Sequence, residues 1–307
     1  MQTLKGLVMA IAAGCAVVPV AAHAAGEQVI EVPGFGDFLA VDGKTVWMTN
    51  RSRVEQWSRK GKLAEVPLAH PCGALTVAFG DLWVADCKAG TLNRIDRKTA
   101  KIITSIQTGI GDSETNVVAG AGSVWVASDK MGTISRIDPA TNTVIATITA
   151  DAGSYTLAFG FGAVWAVSIG QNSISKIDPV INTVVKHTAL GEKPGFLAAG
   201  EGAVWVQEQG DGTLARIDPA SGEVTGRVKV GASLKYGDID TGGGMVWLRT
   251  TDDQTFAAID AKTLAITARV GKADGSGALR YTKKGVWTSA HDAHSLTYWP
   301  KPPQYAK

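Results

Sequence analysis

The histidines of this 307-residue chain are few enough to weigh one by one, since there are only five. His70 stands just before Pro71-Cys72, and His291 and His294 bracket the stretch His291-Asp292-Ala293-His294. An imidazole titrates near neutral pH, so it can take and return a proton, and its neutral form binds transition metals. His187 falls in an alternating Val/Thr run and His23 in an N-terminal apolar run, and neither place suits such chemistry. Glu208 follows a tryptophan by three residues. With His70 and His291 it makes the set favoured here for proton transfer. The His291/His294 pair, with Asp292 between, is also a candidate metal site, although an i, i+3 spacing in a loop is a weak signal. The chain has no Gly-x-Ser-x-Gly elbow, no Walker-type phosphate loop and no Cys-x-x-Cys pair.

Such residues need a scaffold, and the tryptophans disclose it. Seven of the nine recur as Trp47, Trp83, Trp125, Trp165, Trp205, Trp247 and Trp287, at steps of 36, 42, 40, 40, 42 and 40 residues. Before each comes a small apolar segment and a Gly-rich turn. Thirteen residues after five of them comes Ile-Asp, at Asp96, Asp138, Asp178, Asp218 and Asp260, and then an alternating run such as Thr143-Val144-Ile145-Ala146-Thr147-Ile148. Each unit reads as four strands, labelled a to d, with the tryptophan on strand b. Four-stranded units of about 40 residues are propeller blades. The expected fold is therefore all-β: a seven-bladed β-propeller with four antiparallel strands per blade. The last unit lacks a strand d, while Gln28-Val29-Ile30-Glu31-Val32 precedes the first strand a without a partner. That N-terminal strand should join the last blade and close the ring, leaving no open sheet edge between the termini.

In this frame the polar residues that differ between blades fall at one end of the ring. The d–a crossing loops offer Asp37, His70, Glu114, Tyr155, Lys235, Tyr236 and Arg280. Asn116 and Asp238 begin strands a, facing the axis. The third position after the tryptophan carries Asn50, Asp86 and Glu208, with Arg249 and His291 beside that ring. Together they would line a central funnel that binds a small molecule or a protein partner. Formal net charge is +2, which gives no electrostatic case for nucleic acid.

The first 24 residues read as a secretory signal: Lys5, an apolar run from Leu7 to Val20, then Ala22-His23-Ala24. Residues 25–307 would then be one propeller domain, exported to the periplasm and expected as a monomer without a membrane span. Lipid anchoring at Cys15 is the alternative, since Ala12-Ala13-Gly14-Cys15 loosely matches a lipobox. Removing the signal leaves Cys72 and Cys87, an even count that suits a disulfide in an exported chain. Both flank the a–b hairpin of blade two and are centred on its turn, so they should oppose each other across the strand pair.

The stretch Gly122-Ser123-Val124-Trp125-Val126-Ala127, followed by Gly132-Thr133-Ile134-Ser135-Arg136-Ile137-Asp138-Pro139-Ala140-Thr141-Asn142-Thr143-Val144, resembles the YVTN-type bacterial propellers. That group overlaps the streptogramin (virginiamycin B) lyase-like superfamily, and the resemblance runs from Glu27 to about Pro300. It implies one of two activities. The first is ligand or partner binding in the cell envelope. The second is a funnel-face enzyme, either a lactone hydrolase or a lyase that opens a cyclic depsipeptide by elimination, assisted by Mg²⁺ with His and acidic residues. A divalent metal, Mg²⁺ or Ca²⁺, is accordingly the candidate cofactor. In that pattern an acid after the blade tryptophan is followed two residues on by His, whereas Lys88 follows Asp86 and Gly210 follows Glu208 here.

Overall fold

The computed structural model describes residues 26–111, 114–127, 131–234, 237–250 and 253–300. Its strands form seven antiparallel sheets of four. Blade 4 is representative: Ser154–Gly160, Ala163–Ser168, Ser173–Asp178 and Thr183–Ala189 run from the axis outward as strands a to d. The seventh sheet takes its strands a, b and c from Leu279–Thr282, Gly285–Ala290 and Ser295–Pro300. Its outermost strand is Gln28–Glu31, which pairs Gln28 with Tyr298 and Glu31 with Ser295. The ring thus closes as the sequence predicts. No helix of the described residues is long and apolar enough to cross a membrane. The proposed signal, with Cys15, lies outside the described residues.

Each repeated tryptophan is fully buried and belongs to one seam between neighbouring blades. Trp165 of blade 4 packs with Leu197, Val204 and Val206 of blade 5, and Trp205 in turn packs with Ile239, Val246 and Leu248 of blade 6. At the closing seam Trp287 meets Leu39, Val46 and Met48 of blade 1. The indole N–H needs an acceptor once buried. In blades 2 to 6 it donates to the carbonyl five residues earlier, as from Trp165 to Gly160 at 3.2 Å. That glycine also explains itself sterically, since a Cβ on Gly160 would sit 2.5 Å from Ala199 Cβ of the next blade.

Two polar devices reinforce the seams at the rim. A strand-c cation lies over the indole, Arg94 on Trp83, Arg136 on Trp125 and Lys176 on Trp165. It then reaches into the next blade's turn: Arg136 donates to Pro179 O at 2.5 Å and to Asn182 Oδ1 at 2.8 Å. The Asp that ends strand c caps that turn, as where Asp138 Oδ1 accepts the Ala140 N–H at 2.8 Å.

Cys72 and Cys87 are bridged, with 5.9 Å between their Cα atoms. Their alignment differs from simple opposition. The hairpin pairs Thr76 with Trp83, but beyond Gly73 the register moves by two residues and pairs Pro71 with Asp86. The Cys72 N–H therefore donates to Ala85 O and the Cys87 N–H to His70 O, and the bridge spans diagonal neighbours.

If the seams carry the stability, Trp165→Ala should lower the unfolding free energy by about 3–5 kcal/mol. Val180→Ser, on the exposed outer rim, should change it by less than about 0.5 kcal/mol. Urea titration of the two variants checks this, and equal effects would overturn it.

Candidate functional site

The crossing loops and b–c loops meet around the axis at one end of the ring and enclose a funnel. Its central part, about 390 Å³, is lined by Phe35, Asp37, Phe38, Glu114, Phe196, Gln209, Asp238, His291 and Asp292, among others. A side pocket of about 190 Å³ extends toward Asn50, Arg51 and His70. Another of about 240 Å³ extends toward Asn116, Tyr155 and Ile169. Glu114 borders all three.

The walls combine aromatic faces with acids. Phe35 stacks on the His291 ring at 3.9 Å between centroids, and Phe38 lies 5.9 Å from Phe196. His291 has its pKa lowered, chiefly by burial, with the Asp292 carboxylate opposing that shift. Its Nδ1 lies 3.1 Å from Asp292 Oδ1, too far off line for a good hydrogen bond. Asp292 itself is held below the usual carboxylate range, first by the Ser276 N–H, which donates to its Oδ2 at 2.9 Å. Asp37 behaves oppositely. Burial, reinforced by the charges of Glu114, Asp238 and Asp292, pushes it from 3.8 up to about 8, against a smaller lowering by Arg249. Burial also raises Glu114.

Other expected site residues are spent on structure. The third position after the tryptophan was expected to face the funnel; instead, at Asn50, Asp86 and Glu208, its side chain clips its own blade's crossing loop. Glu208 accepts from Arg227 Nε at 2.8 Å, Thr213 Oγ1 at 2.5 Å and the Gly191 N–H at 2.8 Å, and it borders none of the funnel's pockets. Asp86 accepts the N–H groups of Ala69, His70 and Ala89. Asn50 reaches a side pocket, but its amide binds Pro33 O, the Phe35 N–H and Glu55. The next residue, just past the end of the strand, is the one that lines the funnel: Arg51, Ile169, Gln209 and His291. Strand alternation separates those two positions.

Asp238 accepts the N–H groups of Ile239 and Leu279 and pairs with Arg280. Arg249 is sealed between blades 6 and 7 by the carbonyls of Thr250, Thr255, Gly275 and Ser289, and by Asp274 at 2.9 Å. Asn116 Nδ2 donates to Leu157 O at 3.4 Å, and His70 and Tyr155 border the two side pockets. Lys235 and Tyr236 lie outside the described residues. The sequence reading passed over Phe35, Phe38, Phe196 and Gln209. The one signal for the phenylalanines is a bulky residue near the start of strand a, where the repeat is otherwise small, and Gln209 has only its place four residues past Trp205.

His294 does not join His291, since its Nδ1 lies 2.8 Å from Gly34 O. Among the described residues no group of three or more His, Cys, Asp or Glu side chains is placed to hold a metal ion. The donor set therefore does not fit a preassembled Mg²⁺ or Ca²⁺ centre. On the outer rim, Ser175 Oγ and Asp151 Oδ2 share one nitrogen of His187, at 3.2 and 3.3 Å. A catalytic triad would use both ring nitrogens.

Fold and site together define a seven-bladed propeller with an aromatic, acid-lined funnel. The same fold occurs in virginiamycin B lyase from Staphylococcus aureus, 19% identical, with a TM-score of 0.78 over 90% of this chain and 99% of that one. A catalytically inactive histidine-to-alanine variant of that lyase with quinupristin is 18% identical, with a TM-score of 0.77 over 90% of this chain and 99% of that one. A streptogramin B lyase is 16% identical, with a TM-score of 0.77 over 89% of this chain and 96% of that one. A family model described as a repeat of unknown function (DUF6923) matches residues 58–196. No curated protein sequence matches the chain.

The raised acid makes a stability prediction. Between pH 3.8 and about 8 the folded chain holds a proton on Asp37 that the unfolded chain releases, so Asp37 costs stability progressively as pH rises through that window. Asp37→Asn should therefore match the parent near pH 4 and exceed it in Tm by a growing margin up to about pH 9. At roughly 2–4 °C per kcal/mol for a sizeable domain, the gain is readable by calorimetry. A margin that is flat or shrinking with pH would contradict the assigned burial.

Proposed function

We propose that the protein is an exported, periplasmic propeller that binds a small molecule with apolar or aromatic surface in its funnel. The observation that carries this reading is the set of phenyl rings, Phe35, Phe38 and Phe196, lining one concave space with polar groups. A few polar groups in an apolar concavity are what small-ligand sites share. Concavity also favours a small molecule over a flat protein partner. Crystallographic screening with small aromatic fragments should place hits against those rings. Hits confined to other surfaces, or none at millimolar concentration, would overturn the reading. For export, sequencing of the periplasmic protein should begin at Ala25; a chain retaining Met1, or lipidated at Cys15, would count against it.

A second reading, chemistry in the same funnel, is favoured by one observation. His291 is biased toward its neutral, proton-accepting form, while Asp37 keeps its proton to about pH 8. A base and an acid so poised suit lactone hydrolysis, or the ring-opening elimination that the resemblance to streptogramin lyases implies. Quinupristin, bound by the structurally similar lyase variant, is the natural probe. Hydrolysis would add the mass of one water and elimination would leave the mass unchanged, so chromatography with mass spectrometry separates them. Turnover should be greatest between the His291 pKa, below 6.5, and about pH 8, and should vanish in His291→Ala. Intact quinupristin after prolonged incubation would remove this reading and leave binding standing.

A further inference from the structure

The funnel's charges are unequally spent. Arg249 and Arg280 are occupied by carbonyls and by Asp274 and Asp238. Asp292 takes the Ser276 N–H and faces His291. Asp37 and Glu114, by contrast, make no side-chain hydrogen bond or ion pair among the described residues. Both line the central funnel, where burial disfavours ionising either and the Glu114 charge adds to the cost for Asp37. Of the nearby cations, Arg249 acts on Asp37 only from a distance, and Arg51 stands in the side pocket with His70. Two acids with no cationic partner among the described residues, set among phenyl rings, form a place for a positive charge that also has an apolar body. Carboxylates in a desolvated space favour a counter-cation, and aromatic faces attract ammonium groups. A bare divalent ion would need several hard oxygen ligands, and no such set is assembled.

Resting on the reading of the funnel as a binding site, we infer that its ligand class is a small organic cation. Its ammonium sits between Asp37 and Glu114, and its body lies against Phe35, Phe38 and Phe196. At neutral pH Asp37 is protonated, so binding of the ammonium displaces that proton to solvent. Affinity should then rise with pH up to about 8.

Calorimetric titration with three probes of one shape tests this: 4-phenylbutylammonium, 4-phenylbutan-1-ol and 4-phenylbutyrate. The ammonium should bind about tenfold more tightly than the alcohol at about pH 8.5, a preference that narrows near pH 6. It should also release protons, seen as a dependence of the measured heat on buffer. Butyrate should bind weakest. Asp37→Asn and Glu114→Gln should each bring the ammonium-to-alcohol ratio toward one. Equal binding of ammonium and alcohol would overturn the cation inference while leaving the funnel a binding site. No binding of any probe would count against both. Saturable MgCl₂ binding that excludes the ammonium and is lost in Asp37→Asn would reassign the acids to a metal.

Discussion

The rest of the molecule depends on the indole in each seam. A four-stranded blade cannot bury both of its faces alone, and a shared aromatic ring makes each blade complete its neighbour. The seven tryptophans do this with almost no exposed surface, and in blades 2 to 6 the indole N–H ties strand b to the end of strand a. Apolar filling is thus met across the seam, and hydrogen-bond satisfaction of the indole, in blades 2 to 6, within the repeat. Closure by Gln28–Glu31 leaves no seam without a partner sheet. Because stability resides between the blades, the loops at the two ends of the ring are released from most packing duties.

That release is not complete at the funnel end. In blades 1, 2 and 5 the crossing loop is anchored by the residue three past the tryptophan, Asn50, Asp86 or Glu208, which accepts loop N–H groups that would otherwise be buried without acceptors. The following residue is then free to face the axis. Gln209 and His291 occupy it, while in blade 2 the same place is Cys87, tied to Cys72. Loop anchoring and funnel lining are thus divided between adjacent positions, so that changing one need not disturb the other.

The architecture was legible because it repeats. Tryptophan spacing gave the number of blades, the Ile-Asp interval gave strand c, and the orphan strand gave the closure. The site was legible only as a region. Asp37, Glu114, Asp238 and His291 do converge, but Glu208 and Asp86 were assigned to the wrong face because a single-residue slip in a strand reverses its direction. The last residue before a b–c turn is where that register is hardest to read. The cysteines show the same limit, since their bridge forms although a register shift beyond Gly73 makes them diagonal neighbours. Phe35, Phe38 and Phe196 escaped notice because an aromatic residue near a strand start reads as ordinary packing until neighbouring blades are brought round the axis.

The departures from the repeat carry information that the repeat does not. On strand a, the residue opposite the tryptophan is Ala40, Thr76, Val118, Ala158 and Ala198 in the first five blades, but Asp240 and Arg280 in the last two. Two positions past the tryptophan, blade 6 places the fully buried Arg249. Charges at such places are costly to desolvate, and an apolar residue would fill the same seam more cheaply. Here they are kept and matched: Asp240 accepts the Tyr281 N–H at 2.8 Å, Arg280 pairs with Asp238, and Arg249 is ringed by carbonyls. The side of the ring that bears this cost also supplies Asp238, His291 and Asp292 to the funnel. Local sequence logic gives way where a fold must hold charges in place for something other than its own stability. By that criterion the blade 6–7 wall holds the funnel's polar groups in position, and the phenyl rings of the flanking blades, with Phe35 stacked on His291, supply its apolar surface.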